Sequence, residues 1–288
     1  MEIEFLKMQG CGEDTVVMDC FKQPKPKPTD LPGLARKILD RRRGVGADSL
    51  LLLDGSGEHR ISVQCFEAGG EDVPVSGNAM RCAARYASDS GISVEEKFAI
   101  ETTSGSFTTQ IIDSANVRVD MGMPLRGRDG AELREKPLES FTRALVVDDR
   151  QVTYTPVSLN ASYGVIFVTQ FDFSFPRTAR TIAANPEFPD ETGICFAQVY
   201  NREELRLRVW EAGGRLGRKK GSEGLASCTG AASAVVASVV NGFTDREVFV
   251  HCAGGDLYVQ WGERDNRLQL TGPATYVFTG TYYFEEGA

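Results

Sequence analysis

The sequence repeats itself, and this duplication is the feature that most limits how the chain can fold. The motif Phe66-Glu67-Ala68-Gly69-Gly70 returns as Trp210-Glu211-Ala212-Gly213-Gly214. In both places a serine that opens an alanine-rich run follows soon after, first Ser76 and then Ser227. Two further matches follow each serine in the same order. Chance accounts for one such match, but an ordered series of four indicates two similar halves.

The duplication also predicts the domain organisation. A chain of 288 residues suits one large domain or two of ordinary size, and the repeat decides for two. The charged stretch from Leu125 to Arg150 has little periodicity, so we place the crossover there. We therefore predict an N-terminal lobe over 1–124 and a C-terminal lobe over 125–273. The last segment, 274–288, is predicted as a strand that can return to the first lobe.

The hydrophobic pattern predicts an α+β fold. Each half carries short, mostly antiparallel strands and one apolar helix rich in alanine, valine and methionine. These helices are predicted over Ala79 to Ala87 and over Gly230 to Val240. A helix that is apolar on most sides is buried, so we expect strands to curl around each of them.

Composition and charge exclude several classes of function. With 41% hydrophobic and 25% charged residues, the chain resembles an ordinary soluble protein. A net charge of −8 argues against a nucleic-acid partner, and no apolar run approaches the length of a membrane span or a signal segment.

Cysteine and histidine usage points to a cytoplasmic protein without a metal site. The seven cysteines form no C-x-x-C pair, which fits neither a zinc site nor a disulfide framework. Free thiols are typical of a reducing cytoplasm. The two histidines are too few for a histidine-based metal site.

Two polar segments stand where the apolar helices begin. These segments are Ser76-Gly77-Asn78 and Ser227-Cys228-Thr229-Gly230. Unpaired N–H groups and the helix dipole attract anions at a helix start. If the halves pair about a pseudo-twofold axis, both starts open onto one cleft, where a small carboxylate would place its α-carbon near both serines. The alternative, that both serines are ordinary N-caps, stays open.

With these motifs in view, the chain resembles the diaminopimelate epimerase family of amino-acid racemases and epimerases, which work without pyridoxal phosphate. The resemblance covers essentially the whole chain. It is carried by Met8-Gln9-Gly10-Cys11-Gly12-Glu13-Asp14, Arg43-Gly44-Val45-Gly46-Ala47-Asp48, Gly77-Asn78-Ala79-Met80-Arg81-Cys82, Val209-Trp210-Glu211, Ala226-Ser227-Cys228-Thr229-Gly230-Ala231 and Leu270-Thr271-Gly272-Pro273-Ala274.

This resemblance implies two similar lobes, each a β-barrel-like sheet around a central helix, with the active site between them. It implies chemistry without a cofactor or a metal, in which a thiolate removes the α-proton and a thiol on the other face returns one. It also implies a homodimer.

The sequence departs from the family at the two reacting positions. Ser76 and Ser227 stand where the family has its catalytic cysteines, and Cys228 stands where glycine is usual. A thiol at a helix start can act as a base, whereas an alcohol needs a neighbouring base to activate it.

The expected substrate ligands also differ. Asparagine positions of the family are held here by Glu13, Glu67, Gly193 and Ala161, and Asn160 lies beside the last of these. Ser49 replaces a polar amide position, and Ala212 replaces an arginine that would help to hold a distal carboxylate. Diaminopimelate is therefore not the expected substrate.

The leading hypothesis is an isomerase with remodelled acid/base chemistry. Glu67 and Glu211, which occupy matching places in the repeat, are the predicted base and acid, while Ser76 and Ser227 hold a substrate anion or an enolate-like oxygen. Glu13 is expected to bind an amine or guanidine group. The remaining predicted substrate-binding residues are Ser49, Gly77, Asn78, Cys228, Thr229 and Asn160.

Two alternatives stay open. Loss of both thiols and of most ligands fits a non-catalytic descendant that binds a small ligand or a partner protein. A cyclisation, a double-bond shift or an elimination also begins with removal of a proton beside a carbonyl, and the same scaffold could perform it.

Overall fold

The computed structural model describes residues 1–55, 61–126, 131–132, 142–159, 161–189, 191–211 and 221–285. The helices in this part of the chain are α1 (Leu31–Ile38), α2 (Gly77–Asp89), α3 (Phe175–Ala183) and α4 (Cys228–Val240). The predicted α+β class is confirmed, and so are the two apolar helices. Both α2 and α4 begin two residues earlier than predicted, directly after Ser76 and Ser227.

More of the described residues lie in strands than in helices. In the first half they are β1 (Glu2–Gly10), β2 (Glu13–Asp19), β3 (Ser49–Gly55), β4 (Ile61–Glu67), β5 (Lys97–Thr102), β6 (Gly105–Ile111) and β7 (Asn116–Gly122). The second half continues with β8 (Leu125–Arg126), β9 (Ala131–Glu132), β10 (Arg143–Val147), β11 (Arg150–Ser158), β12 (Ser162–Phe167), β13 (Gly193–Val199), β14 (Glu204–Glu211), β15 (Ser222–Gly224), β16 (Glu247–Cys252), β17 (Gly255–Trp261), β18 (Leu268–Pro273) and β19 (Thr275–Tyr283).

The chain divides into two compact units. Unit 1 comprises Met1–Val119 and Gly272–Ala288, and unit 2 comprises Asp120–Thr271. The C-terminal strand β19 belongs to unit 1, where it pairs antiparallel with β1.

The two units share one order of strand pairing. In unit 1, β1–β2 is antiparallel, β2–β3 parallel, β3–β4 antiparallel, β4–β5 parallel, and β5–β6–β7 antiparallel. In unit 2 the same sequence of pairings runs through β11, β12, β13, β14, β16, β17 and β18. Each parallel pair needs a crossover, and a helix supplies it every time. The repeat in the sequence is thus a repeat in topology.

A tight turn in unit 1 fixes where β2 begins. Cys11 and Gly12 both have positive φ, 50° and 83°, and they join β1 to β2 as a two-residue hairpin. Such turns match the twist of the strands they connect. The turn makes Glu13 the first residue of β2, opposite Gly10.

The central helix of each unit is enclosed by strands. In α2 the buried face includes Ala79, Ala83, Ala84 and Ala87, and the helix packs on β1, β2, β3 and β6. Helix α4 packs on β11, β12, β13, β14 and β17, and ten of its thirteen residues are buried. Small side chains let the strands approach the helix axis closely. Within the described residues, none of the helices is long and apolar enough to cross a membrane.

Enlarging the buried face of α4 should destabilise unit 2. Ala237 is fully buried, so Ala237→Leu adds three carbons where no space exists, and we expect a loss of about 1–3 kcal/mol in the free energy of unfolding. Urea denaturation measures it. The control is Ala144→Leu, the same substitution at an exposed position of β10, which should change stability by less than about 0.5 kcal/mol. Equal effects of the two variants would show that α4 is not enclosed.

Candidate functional site

In unit 1, Ser76 caps the helix α2. Its backbone is extended, and its Oγ accepts a hydrogen bond from the N–H of Ala79 at 3.1 Å. Its carbonyl oxygen accepts the first helical bond, from the N–H of Met80 at 2.8 Å. The N-cap alternative is therefore correct for Ser76 as a structural role. The hydroxyl hydrogen is still available to a further acceptor, because capping uses only a lone pair of Oγ.

That acceptor is Glu13. The Ser76 hydroxyl donates a short hydrogen bond to Oε1 of Glu13, and Nδ2 of Asn78 donates to Oε2 at 2.8 Å. Residues far apart in sequence meet here because the hairpin turn fixes the start of β2 and the serine fixes the start of α2. Both carboxylate oxygens of Glu13 thus have partners within unit 1, and one of these is the hydroxyl of a candidate reacting residue.

Arg81 fixes the orientation of Asn78 in this arrangement. Its side chain is fully buried, and its Nη2 donates to Oδ1 of Asn78 at 2.7 Å. Its Nε donates to the carbonyl oxygen of Pro273 at 3.1 Å. These bonds orient the Asn78 amide so that its NH₂ group faces Glu13. The guanidinium also places a buried positive charge near the partly buried Glu13 carboxylate.

The pKa of Glu13 is raised above its ordinary value, because burial disfavours the charged form. The hydrogen bonds from Ser76 and Asn78 and the charge of Arg81 act in the opposite direction without cancelling the effect. A carboxylate with a raised pKa is a stronger base than an exposed one. It is therefore suited to accept a proton from the serine hydroxyl that it contacts.

The predicted base Glu67 lies elsewhere in the same unit. It ends β4, is 2% exposed, and pairs across the strands with Ser49. Ser49 in turn donates from Oγ to Oγ1 of Thr15 at 2.9 Å. Burial raises the pKa of the Cys65 thiol in this region, with further contributions from Glu13 and Glu67. The carboxylate that accepts the hydrogen bond from the Ser76 hydroxyl is Glu13 rather than Glu67.

In unit 2, Ser227 caps the helix α4 in the same way. Its Oγ accepts a hydrogen bond from the N–H of Gly230 at 3.1 Å, and its carbonyl oxygen accepts from the N–H of Ala231 at 2.8 Å. Like Ser76, it is only partly buried. The repeat therefore places two partly buried serines, each the N-cap residue of its helix, at equivalent helix starts.

A tyrosine links Ser227 to Glu211. The phenol of Tyr163 donates to Oε2 of Glu211 at 2.8 Å, and it lies 3.1 Å from Oγ of Ser227. Its pKa is raised well above the ordinary value, first by burial and then by the charge of Glu211. The phenol is therefore neutral near pH 7. Glu211 reaches the serine of its own unit through one intervening hydroxyl.

Gly193 makes room for this tyrosine. Tyr163 on β12 pairs with Gly193 on β13. A Cβ at position 193 would lie 2.4 Å from Cε1 and 2.6 Å from Cδ1 of the Tyr163 ring. The ring therefore occupies the place where any other residue at 193 would carry its side chain.

Comparing the units shows that equivalent positions carry different residues. In unit 1, the β2–β3 pair Thr15 and Ser49 stands where unit 2 has Tyr163 and Gly193. Both serines nevertheless have a carboxylate acceptor, directly in unit 1 and through a phenol in unit 2. The two carboxylates come from non-equivalent strands, because Glu13 begins β2 whereas Glu211 ends β14.

The remaining predicted residues fall into two groups. Gly77, Cys228 and Thr229 form the first turns of α2 and α4, and the side chain of Cys228 is buried. Asn160 and Ala212 lie outside the described residues. In the part of the chain that the structure describes, no three His, Cys, Asp or Glu side chains are close enough to share a metal ion.

Sequence reasoning did not assign a role to Tyr163 or Arg81. The signal for Arg81 was its position among the buried alanines of α2, since an arginine there must have polar partners. For Tyr163 the indication was Gly193, which lies opposite it on β13 and leaves room for its ring. The sequence alone does not reveal this pairing, because it depends on the strand register.

Comparison with known proteins agrees with the fold and the motifs. The family model for diaminopimelate epimerase matches residues 5–126 and 162–277. The chain is 37% identical to diaminopimelate epimerase of Pelotomaculum thermopropionicum, over 97% of this chain and 99% of that protein. It is 36% identical to that of Heliobacterium modesticaldum, over 96% of this chain and 99% of the relative.

Solved structures of lower identity share the fold. A phenazine biosynthesis protein of Bacillus anthracis aligns with a TM-score of 0.69 at 12% identity, over 99% of this chain and 100% of that one. A probable proline racemase of Agrobacterium radiobacter aligns with a TM-score of 0.65 at 14% identity, over 99% and 93%.

The partly buried carboxyl of Glu13, with its raised pKa, should make stability depend on pH. Because its pKa is raised in the folded protein, the folded state binds a proton that the unfolded state has released. Stability therefore falls as pH rises from the ordinary pKa of Glu through the raised one. Glu13→Gln removes this effect, so its stability relative to the wild type should increase with pH over that range.

Urea denaturation between about pH 4 and pH 8, below and above the ordinary glutamate pKa of ~4.3, measures the difference. The control is Glu263→Gln at an exposed position. Its free energy of unfolding should change with pH as that of the wild type does. A constant difference between Glu13→Gln and the wild type across this range would contradict the raised pKa.

Proposed function

Because this chain belongs to the diaminopimelate epimerase family, we propose that it is a cofactor-independent isomerase that moves a proton at the α-carbon of an amino acid or related small acid. The observation that carries the proposal is the hydrogen bond from Ser76 to Glu13. Loss of both thiols would remove the acid/base groups from such an enzyme. A carboxylate against the serine hydroxyl supplies a base in their place.

Ser76 and Glu13 act together in proton removal. The Ser76 oxygen takes the α-proton while Glu13 takes the proton of the Ser76 hydroxyl. Ser76 is then a neutral hydroxyl again, and the Glu13 carboxyl has gained one proton. The electron pair of the C–H bond passes into the substrate carboxylate. N–H groups in the first turn of α2, among them that of Gly77, hold that carboxylate.

Ser227 supplies the proton for inversion. Inversion requires that one proton leaves one side of the α-carbon and that another arrives on the opposite side. Ser227 has the same capped position in unit 2 and has its own route to a carboxyl, Glu211. This proposal keeps Glu211 in the acid/base role and gives the other such role to Glu13 instead of Glu67.

The substrate is proposed to be an acid other than diaminopimelate. Gly193 has no side chain where the family carries an asparagine, and the Tyr163 ring fills the space that one would need. Ala161 offers a methyl group at another such position. A polar group at the distal end of a substrate would therefore lack, in this chain, the amide ligands that the family provides.

Exchange of the α-proton with solvent tests the proposal. The purified protein is incubated in D₂O with L- and D-amino acids, basic and dicarboxylic ones included, and with diaminopimelate, and the α-proton signal is followed by NMR. We expect one compound other than diaminopimelate to lose the signal. Ser76→Ala and Glu13→Gln should slow this loss by about 10²-fold or more, because each removes part of the base.

Two further variants sharpen the result. Glu67→Gln changes another buried carboxyl of unit 1 and should slow exchange less than Glu13→Gln does. Ser104→Ala, at an exposed turn, should leave the rate unchanged. Equal rates for Glu13→Gln and the wild type would remove Glu13 from the reaction. Tight binding of an acid without exchange would indicate a non-catalytic ligand-binding protein, and a new product would indicate a cyclase, a double-bond isomerase or a lyase.

Restoring both thiols tests the substrate separately. The double variant Ser76→Cys/Ser227→Cys should still not epimerise diaminopimelate, because the missing amide ligands and the Tyr163 ring are unchanged. Chiral chromatography of diaminopimelate after incubation measures this. Epimerisation by the double variant would show that only the reacting groups, and not the substrate ligands, separate this chain from its relatives.

A further inference from the structure

We infer that Tyr163 is a proton relay between Ser227 and Glu211, and that Gly193 is the residue that makes the relay possible. The inference rests on the proposed function for the reaction that the relay serves. It rests on the geometry of unit 2 for the relay itself. Tyr163 acts through Ser227, so its role is to conduct and position a proton rather than to touch the substrate.

One phenol oxygen contacts both ends of the route. It lies 2.8 Å from Oε2 of Glu211 and 3.1 Å from Oγ of Ser227. Tyr163 is 4% exposed, so bulk water has little access to the phenol. Each hydroxyl has one hydrogen to donate and lone pairs to accept with. The chain of two hydroxyls and a carboxyl can therefore be oriented in either direction.

The two orientations correspond to the two directions of proton transfer. When Glu211 is ionised, Ser227 donates to Tyr163 and Tyr163 donates to Glu211, so Ser227 can take a proton from the substrate. When Glu211 is protonated, it donates to Tyr163, Tyr163 donates to Ser227, and Ser227 gives its proton to the α-carbon. In each case the net change is one proton moved between the substrate carbon and the Glu211 carboxyl, onto Glu211 in the first direction and off it in the second. Neither hydroxyl oxygen is left charged.

The ring reaches both partners only because position 193 is glycine. A Cβ at that position would approach the ring to 2.4 Å, well inside van der Waals contact, and the tyrosine would have to move. Movement of the ring would break its bonds to Ser227 and Glu211 together. Unit 1 has Thr15 and Ser49 at the equivalent pair, and it needs no relay because Glu13 contacts Ser76 directly.

Labelling by a small alkyl fluorophosphonate tests the relay without any substrate. In this reaction the Ser227 oxygen forms a bond to phosphorus, fluoride leaves, and the hydroxyl proton passes through Tyr163 to Glu211. Mass spectrometry of the peptide that carries Ser227 measures the rate. We expect Tyr163→Phe to slow labelling of Ser227 by about 10²-fold. Labelling of Ser76, which depends on Glu13, should be unchanged in the same sample.

Matched variants separate the hydroxyl from the ring and from the fold. Tyr154→Phe removes the hydroxyl of another buried tyrosine of unit 2 and should not alter labelling. Glu211→Gln should slow labelling of Ser227 as Tyr163→Phe does, because an amide does not accept the proton. Gly193→Ala should do the same by displacing the ring. Thermal denaturation confirms that each variant is folded.

An activity measurement then tests the use of the relay. With the substrate found by exchange, Tyr163→Phe should slow inversion by about 10²-fold or more. Loss of the α-proton with retained configuration should persist for the one enantiomer whose proton leaves toward Ser76. A purely structural defect would instead slow exchange and inversion equally for both enantiomers.

The outcomes decide the two proposals separately. If Ser227 is not labelled in the wild type, or is labelled equally fast in Tyr163→Phe, the relay is wrong whatever the enzyme does. If labelling depends on Tyr163 but no compound exchanges its α-proton, the relay stands and the proposed isomerase function fails. If inversion by Tyr163→Phe equals that of the wild type, the relay does not serve the isomerase.

Discussion

The hydrogen bond between Ser76 and Glu13 is the interaction on which the rest of the candidate site depends. A serine at a helix start is by itself an unreactive cap. A partly buried glutamate is by itself a cost, because its charge has lost part of its contact with water. Together they form a group that can exchange a proton. The hairpin turn at Cys11-Gly12, the cap of α2 and the buried Arg81 each help to keep this pair in contact.

The same chemical result is reached differently in unit 2. Topology duplicates the helix starts and so duplicates the serines, but topology does not specify which strand supplies the carboxylate. Glu211 ends β14, the equivalent of β4 and not of β2, so it is not the counterpart of Glu13, and a tyrosine carries the connection instead. Substitutions at 163 and 193 have to match, since the ring of one fills the space that the other leaves. The pair is therefore best regarded as one structural change.

The sequence predicted the parts of this protein that follow from local pattern. Alanine-rich runs opened by serines predicted α2 and α4, and the ordered repeat predicted two units of one topology. The contacts of Ser76 were not predictable in the same way. Its partner lies sixty-three residues away, whereas Glu67 is part of the repeated motif itself. Only the hairpin that makes Glu13 the first residue of β2 and the position of the helix start show that Glu13 occupies the place beside the hydroxyl.

Replacing a thiol by a hydroxyl moves the site of proton storage. A thiol of ordinary pKa near ~8.5 can hold or release a proton itself. An alcohol cannot do so near neutral pH, and it therefore passes the proton on. In the proposed mechanism the proton is stored on a carboxyl in each unit, Glu13 in one and Glu211 in the other. An isomerase of this kind needs one of these carboxyls protonated and the other ionised when a substrate binds, and turnover exchanges the two states. The raised pKa of Glu13, which its partial burial causes, serves this requirement, because it extends the protonated form of Glu13 toward neutral pH.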